Sequence, residues 1–432
     1  MSEKKLLPKL RFVDENEEWD SFKLGDVLDK KGYIRGPFGS ALKRGEMKTE
    51  GIPVYEQQHA IYDNRLFRYY IDDNKFEELK RFQVIPNDLI VSCSGTIGKT
   101  SLIRENDEKG IISQALLILR SNSKIIEPKF LKYFLETNKG YNSLISSAGG
   151  SSQVNIAKKQ IILDIPLVVP KLQTQHKIIN FLDKISNKIE LLEHKYEKYH
   201  DFKKYLMQQI FAQKLRFDKY NKDQKVIRLD TVISIINKRN KEDQNLPVLS
   251  ISNKLGFISQ SEQFEDREVA SSDKKNYKIV NKGEFAYNPA RINVGSIAQL
   301  KTYEKGIISP MYIVFKIDST QLNPIFFENF LDSDYFRYEM MKRLEGSVRM
   351  ILSAESLKNI KITVPPIEEQ EKLSKVFSTF DKEIKITEYQ IEKMQEFKKG
   401  LLQQMFVYIF ILMHTILNFC ANICCIKNFL KS

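Results

Sequence analysis

The string with the most chemical promise is Cys93-Ser94-Gly95-Thr96-Ile97-Gly98-Lys99-Thr100. It ends like a phosphate-binding loop, whose backbone N–H groups wrap a β-phosphate. That loop needs glycine at its first position, however, and this chain has cysteine there. The equivalent stretch further on, Pro289-Ala290-Arg291-Ile292-Asn293-Val294-Gly295, has no lysine. A turn carrying Lys99 and Thr100, or Arg291 and Asn293, toward a DNA phosphate or base edge suits these side chains better. His59, His176, His194, His200 and His414 form no i, i+4 pair around a glutamate, and no serine sits in a GxSxG elbow, so metal and acyl-transfer chemistry have no support. Cys93, Cys420, Cys424 and Cys425 make no CxxC pair, which leaves neither a zinc site nor a disulfide framework and fits a reducing cytoplasm. Tyr287-Asn288-Pro289 is a fragment of the Asn-Pro-Pro-Tyr loop of an adenine methyltransferase, but no Gly-rich cofactor turn accompanies it. No catalytic and no metal-binding residue is assigned.

The frame that must hold these residues is a repeat. Shifting Pro170–Phe211 by 195 positions brings Gln175 onto Gln370, Lys177 onto Lys372, Phe202-Lys203-Lys204 onto Phe397-Lys398-Lys399 and Gln208-Gln209 onto Gln403-Gln404. In the first copy Leu182, Ile185, Ile189, Leu192, Tyr196, Tyr199, Leu206 and Ile210 recur at a mean spacing near that of a heptad seam. Phe377, Phe380, Ile384, Thr387, Ile391, Met394, Leu401 and Met405 do the same in the second. Each copy predicts a helix of about 40 residues, roughly 60 Å long at 1.5 Å per residue. An isolated helix of this kind would expose its whole seam, so the two are expected to pair antiparallel inside one chain. Lys203 and Lys398 stand where the seam would continue and read as register or end-of-seam devices whose heads snorkel out.

The duplication extends beyond the helices. Lys9-Leu10-Arg11-Phe12 returns as Lys214-Leu215-Arg216-Phe217, offset by 205. Lys109-Gly110-Ile111-Ile112-Ser113 returns as Lys305-Gly306-Ile307-Ile308-Ser309, each leading into an apolar strand, 115–119 and 312–315. Pro128–Leu135 and Pro324–Leu331 read as short helices entered through proline, and Gly149-Gly150-Ser151-Ser152 and Gly346-Ser347 as flexible turns. Short strands mixed with short helices in this order predict an α+β globule used twice.

The chain has 432 residues, 68 Lys and Arg against 55 Asp and Glu, and a formal charge of +13, which favours a polyanionic partner. The N-terminus has no apolar run of a secretory signal. From Gly400 to Ile426 no residue is charged, and the run from Met405 is long enough to cross a bilayer, although His414, Asn418 and Asn422 would be costly there. Three readings stand for it: an extension by an altered frame or lost stop codon, a buried or partner-covered helix, and a membrane anchor.

The duplicated globule and long helix, Gly36-Pro37-Phe38-Gly39-Ser40, Gly51-Ile52-Pro53-Val54, Arg291-Ile292-Asn293-Val294-Gly295, and Leu-Leu-Gln-Gln-Met-Phe at 401–406 together resemble the specificity subunit of type I restriction-modification systems. The resemblance covers residues 1 to about 407. It implies target-recognition domains at 1–168 and 214–363 and spacer helices at 169–213 and 364–407; the atypical apolar tail at 408–432 is where the chain departs from the family pattern. Each domain would read one half of a bipartite, asymmetric site on double-stranded DNA, with the paired helices setting the gap. Two methyltransferase subunits, carrying S-adenosylmethionine, would dock on this chain, and restriction subunits using ATP and Mg would join them; the chain itself would hold no cofactor. Candidate DNA contacts are Lys43, Arg44, Gln57, His59, Lys99 and Thr100 in the first domain and Arg291, Asn293 and Arg349 in the second. Two other readings compete: a DNA-processing enzyme with an unrecognised active site, and a coiled-coil adaptor tethered through the tail.

Overall fold

The computed structural model describes residues 6–15, 17–38, 41–146, 148–149, 155–156, 159–217, 224–253, 255–260, 274–346 and 350–407. Arg349, Gly39, Ser40, the stretch Gly150-Ser151-Ser152, Ser347 and the 408–432 tail lie outside the described residues. The chain divides into two compact units, Met1–Leu191 with Ile391–Ser432, and Leu192–Gln390. Compactness therefore cuts inside both long helices, whereas the sequence repeat places its boundaries at their ends.

The first unit holds strands β1 (Asp20–Lys23), β2 (Leu28–Arg35), β3 (Ile52–Tyr55), β4 (Tyr70–Ile71), β5 (Leu89–Ser92), β6 (Thr100–Leu102), β7 (Ile111–Ile112), β8 (Leu116–Ser121), β9 (Ala148–Gly149), β10 (Asn155–Ile156) and β11 (Pro166–Val169). Its helices are α1 (Gln57–Tyr62), α2 (Asp73–Glu78), α3 (Pro128–Glu136), α4 (Asn138–Ser146) and α5 (Lys159–Leu163), and it takes the start of α6 (Leu172–Phe211). A four-stranded sheet runs β2-β8-β5-β6 and a three-stranded one β4-β3-β7, with β1 paired to β11. Successive residues of a strand face opposite ways, and the central strands here are apolar on both faces. Leu89, Val91, Leu117 and Leu119 enter a core shared with α3 and α6, while Ile90, Leu116 and Ile118 enter a second core shared with the smaller sheet. Burial on both sides explains why these strands read as unbroken apolar runs.

The second unit repeats the plan. Its strands are β12 (Lys225–Arg228), β13 (Ile233–Ile236), β14 (Val248–Ser252), β15 (Gly256–Ser259), β16 (Lys278–Asn281), β17 (Phe285–Tyr287), β18 (Ile297–Gln299), β19 (Lys305–Ile308), β20 (Ile313–Ile317) and β21 (Lys361–Val364). Its helices are α7 (Pro324–Leu331), α8 (Asp334–Met341), α9 (Ala354–Lys358) and part of α10 (Ile367–Met405). The sheets run β13-β20-β17-β18 and β15-β14-β19-β16, with β12 paired to β21. The parallel pair β3–β7, Val54 opposite Ile111, has its mate in β14–β19, Val248 opposite Ile307. Phe285, Tyr287 and Phe315 face the helix side, and Ala286 and Val314 face the second sheet.

The helices meet as segments within each unit. In the first, Leu182, Ile185 and Ile189 share a core with Leu401, Leu402 and Met405, and half-buried Met394 packs against it. In the second, Met207, Ile210 and Phe211 share a core with Leu373 and Phe377, and Leu206 packs against it. Tyr199 meets Phe380 edge-on at 6.1 Å, while Lys195 lies 3.9 Å from Glu383, so one helix descends in number as the other ascends: they are antiparallel. Leu192 and Ile384 are buried; Tyr196 and Ile391 are half-buried. The lysine heads expected to snorkel out find charged partners instead, Lys203 at 2.6 Å from Asp381 and Lys398 at 3.8 Å from Glu136.

Two glutamines lock helix to globule. Gln175 Oε1 accepts the N–H of Glu127, which precedes α3, while its Nε2 donates to Ile125 O and Pro170 O, all at 2.8–2.9 Å. Gln370 accepts the N–H of Asn323, which precedes α7, at 2.8 Å and donates to Gln321 O and Pro365 O at 3.0 and 2.9 Å. The leads dock alike: Leu10 N donates to Gln404 O at the end of α10, and Leu215 N to Gln209 O at the end of α6.

His59, expected among the DNA contacts, is instead internal and fully buried. Its Nδ1 accepts the N–H of Glu56 at 2.7 Å, helping to start α1, and its Nε2 lies 3.1 Å from Leu66 O. These partners require neutral imidazole with the proton on Nε2, and burial holds its pKa below the ordinary histidine value of 6.5. A base with a depressed folded-state pKa binds protons more readily when unfolded. Its contribution to stability is therefore complete above about pH 6.5 and declines as pH falls below it toward the folded pKa. Urea titrations between pH 7.5 and 5 should show this decline, and His59→Gln should flatten it. Replacing Gln370 by leucine orphans one N–H and two carbonyls; unfolding free energy should fall by about 2–4 kcal/mol in the same assay.

Candidate nucleic-acid interface

The β5–β6 hairpin of the first unit carries Lys99 and Thr100. Gly95 and Gly98 take the left-handed φ values of 60° and 76° that let the loop fold back. The loop then satisfies itself: Ser92 Oγ donates to Thr96 O and accepts the N–H of Lys99, and Gly98 N donates to Ser92 O. Gln57 Nε2 reaches across from α1 to Ser94 O and Thr96 O. A phosphate loop would offer these N–H groups to an anion and run into a helix, whereas here two of them are taken and a strand follows. Lys99 is exposed, its ammonium 5.5 Å from the Tyr141 ring centroid; Thr100 is half-buried in β6.

Lys43 and Arg44 are exposed at a 3-10 turn, Arg44–Glu46, closed by Glu46 accepting the N–H of Lys43 at 3.0 Å. Arg44 Nη2 donates to Tyr69 Oη at 3.2 Å, and Arg68 lies over the same ring at 5.5 Å while forking onto Glu56 at 2.9 and 3.1 Å. Arg44, Tyr69, Arg68, Glu56 and its neighbour Gln57 thus form one surface chain ending at the hairpin. Arg35 lies 5.5 Å from the centroid of the exposed Phe38 ring. Guanidinium groups beside aromatic rings, each with several N–H donors, suit contact with phosphates and base edges. Arg68 and Arg35 escaped sequence reasoning; an arginine near an aromatic residue, as in Arg68-Tyr69, was the only trace of them.

In the second unit the equivalent β17–β18 hairpin carries Arg291 and Asn293, both exposed, around a single 3-10 turn that ends at Gly295 with φ 89°. Asn288 supports it, its Oδ1 accepting from Ala290 N at 3.0 Å, and Pro289 O accepts the N–H of Leu352 at 3.1 Å. The two stretches paired in the sequence, with Lys99 and Thr100 on one and Arg291 and Asn293 on the other, therefore fall on matching edge hairpins of matching sheets. Among the described residues no group of acids, histidines and cysteines could hold a metal ion.

The family model for the type I restriction modification DNA specificity domain matches residues 16–198 and again 221–396. The MjaVIII type I restriction enzyme specificity subunit of Methanocaldococcus jannaschii is 23% identical over 411 residues, covering 89% of this chain and 91% of that protein. A second subunit of that organism, MjaX, is 24% identical over 418 residues, with 89% and 92% covered. The crystal structure of the S subunit of a type I restriction-modification system from M. genitalium superposes with a TM-score of 0.57 at 16% identity, over 93% of this chain and all of that one, a likeness of fold. With one domain model matched twice and together over most of the chain, and with sheets, clamps and hairpins that are themselves duplicated, this protein belongs to the type I restriction-modification DNA specificity family.

Proposed function

We propose that the chain is the non-catalytic DNA-reading subunit of a type I restriction-modification complex. The observation that carries this reading is one domain plan built twice, with Lys99 and Thr100 on one edge hairpin and Arg291 and Asn293 on its mate. Like scaffolds with unlike side chains read unlike short sequences, so each domain takes one half of a bipartite, asymmetric site. The helices α6 and α10, of 40 and 39 residues, set the gap and offer a face to two methyltransferase subunits. Those subunits bring S-adenosylmethionine and methylate adenine; restriction subunits bring ATP and Mg. The complex works in the cytoplasm, and among the described residues no helix is long and apolar enough to cross a membrane.

Affinity comes mainly from phosphate neutralisation and falls steeply with salt, while choice of sequence rests on a few base-edge contacts. Lys43→Ala should weaken binding to specific and random duplexes alike and lower the slope of log K against log salt by about 1. Arg291→Ala should cost about 1–3 kcal/mol at bases of one half-site and leave the other untouched, as measured by competition with half-site variants. Exchanging residues 225–360 for those of a related subunit should change one half-site only, and a change in both would overturn the division of labour. The decisive experiment co-purifies the full chain, and one ending at Val407, with the methyltransferase encoded beside it and maps adenine methylation. Methylation at a split motif supports the reading; no complex and no methylation from either chain refutes it.

A further inference from the structure

A second pair of matching elements stands beside the edge hairpins. Between β7 and β8 the chain turns over Ser113-Gln114-Ala115-Leu116, closed by Leu116 N donating to Ser113 O at 3.1 Å. Between β19 and β20 it turns over Ser309-Pro310-Met311-Tyr312, closed by Tyr312 N donating to Ser309 O at 3.0 Å. Each turn lies against the root of its hairpin. Cys93, where the first hairpin tip begins, donates its N–H to Ala115 O at 2.8 Å, and Asn288, where the second begins, donates from Nδ2 to Met311 Sδ at 3.7 Å. What the turns show to solvent differs: Gln114 in the first, Pro310 and Met311 in the second, with Met311 63% exposed.

Exposed as it is, Met311 is held from three sides. Pro310 presets the backbone at the first corner of the turn, and Lys278 Nζ donates to Tyr312 O at 2.7 Å just beyond the second. Asn288, itself buried, divides its amide between the two elements: Oδ1 accepts the N–H of Ala290 in the hairpin tip, while Nδ2 reaches the thioether, a weak acceptor. The residue that shapes the tip carrying Arg291 and Asn293 thus also positions Met311. Val294 on the same tip is exposed as well, so this edge offers apolar groups beside its cation and its amide. We propose, building on the DNA-reading role above, that Met311 is a specificity-determining residue that packs on the 5-methyl group of a thymine in the half-site of the second domain. Arg291 and Asn293 supply hydrogen bonds for purine edges. Neither recognises the apolar feature of the major groove, the thymine methyl, which a flexible and polarisable thioether fits. The first domain shows the amide of Gln114 at its matching turn, so the methyl contact belongs to one half-site.

The test measures competition binding of the full chain, in complex with its methyltransferase subunits, to duplexes that carry the split motif mapped by methylation. Each thymine of the second-domain half-site is replaced singly by deoxyuridine, which removes the methyl and nothing else. At one position the wild-type complex should bind the deoxyuridine duplex about three- to tenfold more weakly. Met311→Ala should abolish that penalty and leave the preferences of the other half-site unchanged, while Met311→Leu, still apolar, should keep it. Equal binding of thymine and deoxyuridine at every position, or a penalty that persists in Met311→Ala, overturns the methyl contact, and the motif preference of the wild-type complex then leaves the DNA-reading role standing. Loss of methyltransferase subunits from Met311→Ala assigns the side chain to a protein contact and overturns it too. A wild-type complex without any motif preference overturns both the contact and the reading beneath it.

Discussion

A primary amide buried in a protein must find two acceptors and a donor or cost several kcal/mol. Gln175 and Gln370 meet that demand with the same three partners in each half: the carbonyl before the long helix, the carbonyl in the turn leading to a proline-started helix, and the N–H just ahead of that helix. A slide of the long helix would break all three at once. The clamp therefore fixes where each helix leaves its globule, and with it which residues of α3 or α7 press on the helix and which sheet face they cover. The apolar core supplies most of the stabilisation, but it tolerates sliding; the amide does not.

The duplication separates what packing requires from what a surface is free to vary. Several positions that satisfy backbone groups carry the same or similar residues in both halves: the two glutamines, the two prolines, the hydroxyl caps Thr137 and Ser333, and the leads that dock on Gln404 and Gln209. The edge hairpins share their topology and little else. One is tied down by Ser92 and Gln57 and shows a lysine; the other is tied down by Asn288 and shows an arginine and an asparagine. A rigid support under a variable tip is what sequence reading needs, since a side chain discriminates bases only if its backbone is held still.

Much of this was legible because it is local. The short helices follow from proline at the first turn, the strands at 116–121 and 313–317 from apolar runs, and the pairing of α6 with α10 from a periodicity that leaves each helix with a stripe to bury. The helix pairing in turn says where Leu182 or Phe377 must go. Contacts between residues distant in sequence were not legible. Nothing in the string around Gln57 says that its amide reaches Ser94 O and Thr96 O in the hairpin, and the order of strands within two stacked sheets leaves no periodic trace. Burial along the seam is uneven, complete at Leu182 and Phe377 and only partial at Tyr196, Tyr199, Phe380 and Ile391, a gradation that spacing alone does not foretell.

The basic surface of the first domain also shows why a count of positive charges is a poor guide to contacts. Arg68 is exposed but already forked onto Glu56, and Arg44 already donates to Tyr69. Such exposed pairs contribute about 0–1 kcal/mol. Exchanging Glu56 for a DNA phosphate would therefore cost little, and the Tyr69 ring, 5.5 Å from the guanidinium carbon, is a contact that does not depend on Glu56. By contrast Arg65, mostly buried between Asp107 and Leu102 O, carries the same charge but is committed to the interior and contributes to the surface field without being able to touch a ligand. The distinction between the two arginines lies in the partner each must give up, which is a property of the fold rather than of the residue type.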